Sequence, residues 1–230
     1  MTNKPLVIFL LSLPSVCFPN NFETWNTVQV SKNLGSGLSV GASEESRIGV
    51  NQNENPKKFD EFHTTVFVDW RFCKYASIGV QDDFVLVRDN TDARYKRDNR
   101  PGVNLAFYEN WRGVDLMSRL RFVMRDLENE RPYFRYRSLS KVVFPEAVKI
   151  CDVPIRPYFS YEWYFDEGSK DRKIPKGDKF SQFWTDAGVQ CKISETINLG
   201  IFYRLVEMKS PIKHDWSPGH VFGVNASFHF

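Results

Sequence analysis

The chain has 230 residues, with 31 Lys and Arg against 28 Asp and Glu, a formal charge of +3 with histidines neutral. That near-balance gives no basic field for nucleic acid, and the length holds one β-barrel or one large β-sandwich rather than two domains. A mean hydropathy of −0.42 resembles a soluble protein, yet a membrane barrel reaches the same value because lumen and loops dilute its apolar face.

Taken in chain order, the first feature is Lys4 followed by the apolar run Pro5-Leu6-Val7-Ile8-Phe9-Leu10-Leu11-Ser12-Leu13. It is too short to span a bilayer and has the length of a secretory core, so residues 1–17 are expected to be a cleaved signal peptide and 18–230 the mature domain. A lipoprotein with Cys17 acylated is the weaker alternative, because Val16 is a poor residue before a lipidated cysteine. Both readings export the chain. After residue 17 no run approaches the roughly 20 apolar residues of a membrane helix, so any membrane crossing would be made by strands.

Strands are expected near 22–32, 37–47, 61–73, 76–88, 102–112, 114–126, 131–143, 155–166, 180–193, 196–208 and 218–230. Several are two-faced. Val66, Val68, Trp70 and Phe72 oppose Thr65, Asp69 and Arg71, and Leu120, Phe122 and Met124 oppose Arg119, Arg121 and Arg125. Phe159, Tyr161, Trp163 and Phe165 likewise oppose Tyr158, Ser160 and Glu162. The strand at 102–112 resists a phase, since either choice puts a polar group on the wrong face. In the segment ending at Phe230, the even positions Phe222, Val224, Ala226, Phe228 and Phe230 form one apolar face.

Connections fall into two classes. Tight ones are expected at Asn33–Ser36, Lys74–Tyr75, Arg112–Val114 and Ser194–Glu195, and long polar ones at 48–60, 89–101, 167–179 and 209–218. Short turns on one rim and long loops on the other describe an outer-membrane barrel, with periplasmic and extracellular sides respectively. The fold class expected is therefore all-β: a single antiparallel transmembrane barrel of 10–12 strands in the cell outer membrane of a Gram-negative-type bacterium. The tally of eleven sits awkwardly, because single-chain bacterial barrels are almost always even. Ten would follow if 22–32 were not a full strand, and twelve if the connection 145–157 hid a short one.

The pattern resembles the uncharacterised outer-membrane barrels called domain of unknown function 2490. The matching residues are Trp25, Glu44 with Arg47, Arg119-Leu120-Arg121, Tyr133-Phe134-Arg135-Tyr136-Arg137, Tyr161-Glu162, Gly188-Val189, Gly200 with Tyr203, and Phe230. The resemblance implies an outer-membrane barrel and no activity. The apolar face Phe222, Val224, Phe228 and Phe230 also resembles the assembly signal that such barrels present to the barrel insertion machinery.

Three chemistries follow from the residues. Arg119, Arg121, Arg125, Arg135, Arg137 and Glu162 should share one lumen, either as a constriction favouring anions or as an internal ion-pair network filling a narrow barrel. His214 and His220, with Ser210, Ser217 and Asp215, could form a weak catalytic group of the lipid A deacylase or phospholipase kind, though no nucleophile motif accompanies them. The charged loop Arg94-Tyr95-Lys96-Arg97-Asp98 could bind surface polyanions. Partners are expected to be outer-membrane lipid and lipopolysaccharide, with no cofactor and no metal, since no motif for either is present. Of the cysteines left after processing, Cys73, Cys151 and Cys191 all fall toward the short-turn rim, with Cys151 and Cys191 the better intramolecular disulfide pair.

Overall fold

The computed structural model describes residues 21–51, 58–88, 94–150, 152–167, 180–209 and 216–230. The expected signal segment 1–17, His214 and Cys151 lie outside the described residues. No described residue is helical. The strands are β1 (Asn21–Gly35), β2 (Leu38–Asn51), β3 (Lys58–Cys73), β4 (Ala76–Arg88), β5 (Tyr95–Trp111) and β6 (Val114–Leu127). They continue as β7 (Tyr133–Val143), β8 (Val148–Ile150), β9 (Val153–Glu167), β10 (Phe180–Lys192), β11 (Ile197–Lys209) and β12 (Trp216–His229).

Eleven of these close into a barrel, and β8 is extra. Sequential neighbours pair antiparallel, as short connections dictate. With an odd number of strands, the first and last run the same way, so closure has to be parallel. That is the arrangement found: β1 pairs with β12 in parallel from Phe22↔His220 to Ser31↔His229. The odd tally is thus resolved by a parallel seam and not by losing or gaining a wall strand. The 145–157 connection does hide a short strand, but β8 lies on the same edge of β9 that β7 occupies. Phe144 N donates to Pro157 O (2.9 Å) and Ala147 N to Ile155 O (3.0 Å). Pro145, with no N–H to give, interrupts the ladder between them, so β8 continues the line of β7 beyond the rim.

The short turns open on the rim where Phe230 lies, together with the 144–152 connection that carries β8, and the other connections open on the opposite rim. Two of the short turns have positive φ at both central residues: Ser36 (51°) with Gly37 (78°), and Arg112 (50°) with Gly113 (85°). These signs are those of the hairpin turn whose twist matches its strands. At Gly37 an added Cβ would also run into the carbonyl oxygen of Arg71. Gly37→Ala should therefore cost about 1–2 kcal/mol of stability, read as an earlier urea midpoint with an unchanged slope. Gly35→Ala, where the same Cβ meets nothing within 4 Å despite a φ of 90°, should cost less.

Strand ends depart from expectation where the sequence is most charged. Residues 95–101 were expected to be loop, yet Tyr95–Arg100 pair with Arg88 through Asp83 on β4. β2 and β3 likewise extend to Asn51 and back to Lys58, well into the expected 48–60 loop. The physical reason is clearest on β5: Asp98 and Arg100 turn inward onto ion-pair partners, so their charge does not exclude them from the wall. The ambiguous 102–112 segment resolves in the same way. Val103, Phe107 and Trp111 are exposed on the outside, while Asn104 and Ala106 are buried inside.

Polarity is inverted relative to a water-soluble barrel. Val66, Val80, Phe84, Val103, Phe122 and Phe159 are among the large apolar side chains exposed on the outer wall, while Asp83, Asp98, Arg125, Arg135, Glu162 and Asp186 are buried inside. Glu44, which accepts a hydrogen bond from Thr64 Oγ1 (3.0 Å), interrupts the apolar outer surface. So does Asp82, which lies between the exposed Val80 and Phe84 and whose Oδ1 is buried without a partner.

Candidate functional site: the lumen

Alternation along each strand sends every second residue inward, and on most strands that face carries the charge. The interior encloses a cavity of about 1460 Å³ lined by residues from every wall strand. Nine arginines line it: Arg47, Arg100, Arg119, Arg121, Arg125, Arg135, Arg137, Arg156 and Arg204.

All six members of the expected charge ladder point into this space. Arg125 and Arg100 converge on Asp98, whose Oδ2 takes Nε of both (3.0 and 2.9 Å) and Nη2 of both. Arg135 grips Asp166 with two contacts (2.6 and 2.8 Å), and Arg137 grips Glu162 likewise (3.0 and 3.0 Å). These are the paired geometries in which a planar guanidinium matches a carboxylate. Glu162 also accepts from Tyr164 Oη (2.9 Å). The ladder is thus largely a network, and Glu162 is one carboxylate among several.

The rest of the network comes from residues that were not assigned to the lumen from the sequence. Arg204 and Ser160 both bond Asp186, the former twice (2.5 and 2.8 Å). Arg47 joins Glu45 (2.7 Å) and Glu61 (2.7 Å), and Glu61 also meets His63 Nε2 (2.8 Å). Aromatic rings fill the gaps between guanidiniums. Trp25 and Trp184 meet edge to face at 5.1 Å, and Tyr164 lies 4.5 Å from Trp184. Arg47 stands 3.8 Å over Trp25, Arg204 lies 4.7 Å from Trp25 and 4.5 Å from Trp184, and Arg137 lies 4.7 Å from Tyr164. Each ring face takes a cation, a contact that strengthens as water is excluded.

A sequence signal for these residues existed. Glu23/Trp25, Glu45/Arg47, Glu61/His63, Asp98/Arg100 and Glu162/Tyr164 are all two apart, hence on one face of a strand, and each pair is bonded in the structure. Complementary groups at that spacing mark an inward face.

The remaining expected site residues lie elsewhere. His220 is on the outer face of β12, where its Nδ1 bonds the hydroxyl of Tyr203. Phe222, Val224 and Phe228 also face outward, alternating with the inward Val221, Asn225 and Ser227. Phe230 is two-thirds exposed, but its backbone is not idle: its N–H donates to Ser31 O (2.9 Å) and its carbonyl accepts from Asn33 N (2.9 Å). Beside it, Ser31 Oγ and His229 Nδ1 are 2.7 Å apart, so the seam is fastened at this rim. Cys191 and the exposed Cys73 are free thiols, with Cys191 opposite Ile155 on β9. Among the described residues, no group of three or more His, Cys, Asp or Glu has a geometry that could hold a metal ion.

Comparison with known proteins gives one family: the sequence model described as "Protein of unknown function (DUF2490)" matches residues 22–215. No curated protein matches the chain.

Proposed function

Because the chain belongs to the DUF2490 family of proteins of unknown function and folds as a β-barrel, its role has to be read from the barrel, and we propose that it is an outer-membrane protein that passes small solutes through a narrow, arginine-lined lumen. The inverted polarity carries this reading. An apolar outer wall around a charged interior is stable where the outside is hydrocarbon and the inside is wet. Wall strands of 11 to 17 residues meet the roughly 9–11 needed to cross a bilayer. Trp70, Phe72 and Trp111 lie exposed near the short-turn rim, and Tyr95, Phe134 and Trp216 near the other, where aromatic girdles belong. The cavity, with linings that run from Asn110 and Lys192 at one rim to Leu127 and Gly219 toward the other, supports passage over a solid plug.

The enzyme reading has less behind it. The outward His220 has the hydroxyl of Tyr203 as its partner, and a Tyr–His bond also serves simply to satisfy two polar groups facing lipid.

Two measurements test the proposal. In a background with Cys73, Cys151 and Cys191 changed to Ser, Glu130→Cys should react with an impermeant maleimide on intact cells, and Lys74→Cys only after permeabilisation. Reaction of neither on cells or membranes, with the protein recovered in the soluble fraction, would overturn the location. In planar bilayers the purified barrel should give small discrete steps with anions preferred. Silence both in the native protein and in Arg121→Ser would leave a structural barrel and remove the channel.

A further inference from the structure

Seven of the nine cavity-lining arginines hold a carboxylate at 3.0 Å or closer. Arg119 and Arg121 do not. Arg119 Nη2 comes only to 3.9 Å from Glu162 Oε1, and that carboxylate is already held by both contacts from Arg137 and by Tyr164. Arg119 Nε is buried with no partner at all, while the side chain as a whole keeps 28% of its surface open to the cavity. Arg121 donates from Nε to Asn104 Oδ1 (2.7 Å) and makes no ion pair among the described residues.

These two guanidiniums stand two residues apart on one face of β6, about 7 Å along the strand. Side by side they repel each other, and among the described residues neither is closely paired with a carboxylate as the other seven are. The support beneath them is built. Asn104 Nδ2 donates to Gln81 Oε1 (2.8 Å) and Gln81 Nε2 to Asp83 Oδ1 (2.6 Å). That chain fixes the amide oxygen on Arg121 and holds one edge of the guanidinium in place. Both arginines line the cavity.

We propose that Arg119 and Arg121 form an oxyanion-binding site in the lumen, taking a small oxyanion of the phosphate class between their two planar forks. Guanidiniums suit this ligand because their parallel N–H groups match two oxygens of one anion. The neighbouring carboxylates set its strength: Glu162, Asp83 and Asp69 act on this pair from the surrounding wall. Asp69 is the one whose carboxylate has no hydrogen bond or ion pair among the described residues, so no contact of its own offsets its opposition to an incoming anion. The site deepens the solute-passage reading and rests on its arginine-lined lumen, but binding needs neither a bilayer nor flow.

Inorganic phosphate titrated by calorimetry into the barrel refolded in zwitterionic micelles tests it. Saturable binding is expected, weakened at least about tenfold in Arg119→Gln/Arg121→Gln and tightened several-fold in Asp69→Asn. Heat-modifiable gel mobility establishes that each variant is folded. Equal affinity in the double variant, or no saturation up to about 50 mM phosphate in the native barrel, would overturn the site. Should the double variant fail to fold, Asp69→Asn decides alone, since unchanged affinity there is incompatible with a site Asp69 opposes. Phosphate binding in micelles with no conductance in bilayers would keep the site and remove the channel. Conductance without phosphate binding would do the reverse.

Discussion

Asp98→Asn should be the most damaging isosteric change in the lumen, lowering stability by about 3–5 kcal/mol. Asp98 has no exposed surface, and its Oδ2 receives Nε and Nη2 from both Arg100 and Arg125. Removing its charge leaves two guanidiniums facing each other without an anion, and a buried charge stripped of its partner is among the costliest defects a fold can carry. Arg100→Gln should cost much less, because Arg125 stays on Asp98 and the local charge is then balanced. Urea unfolding followed by tryptophan fluorescence reads both, since Trp25 and Trp184 lie within the inner network. A loss below about 1 kcal/mol for Asp98→Asn would be the value of an exposed pair. It would mean that water reaches this part of the wall and that the network contributes little to holding the barrel.

The same residues explain what the sequence made legible and what it hid. Period-two alternation located ten of the eleven wall strands to within a few residues, because a wall that faces different media on its two sides writes that difference onto every second position. Asp98 and Arg100 were lost to an expected loop because their charge was weighed without a partner. Asp98 pairs with Arg100 on its own strand, a spacing the sequence does show, and with Arg125 across on β6, a pairing that is not written along one strand. The lumen ladder Arg119 to Glu162 was legible from phase alone, but which carboxylate each arginine holds was not. Arg135 goes to Asp166 and Arg137 to Glu162, a choice made by register across β7 and β9. Trp184 and Arg204 on the neighbouring strands β10 and β11 meet Trp25 from β1 across the seam, and nothing local announces that contact. The seam itself was the least readable feature. A parallel closure between β1 and β12 joins the two most distant strands of the barrel and follows only from an odd strand number.

That seam makes Phe230 worth separating into backbone and side chain. Its N–H and C=O both bond β1, at Ser31 and Asn33, and it extends the parallel ladder one residue beyond the Ser31↔His229 rung. Parallel pairing is slightly weaker per residue than the antiparallel pairing of the other ten interfaces, so the seam is where closure is most exposed to loss of a rung. Deleting Phe230 removes both backbone bonds and should sharply reduce the heat-modifiable, protease-resistant barrel, in cells and equally on refolding into micelles. Phe230→Ala keeps both backbone bonds and removes only an exposed ring. On refolding it should match the native protein. In cells it should still assemble poorly if the apolar face of Phe222, Val224, Phe228 and Phe230 is what the insertion machinery reads. Normal refolding after deletion would show that the last rung does not hold the seam. Normal assembly of Phe230→Ala in cells would show that the ring is no signal. A failure of the deletion in both settings, with Phe230→Ala failing only in cells, assigns closure to the backbone and recognition to the side chain.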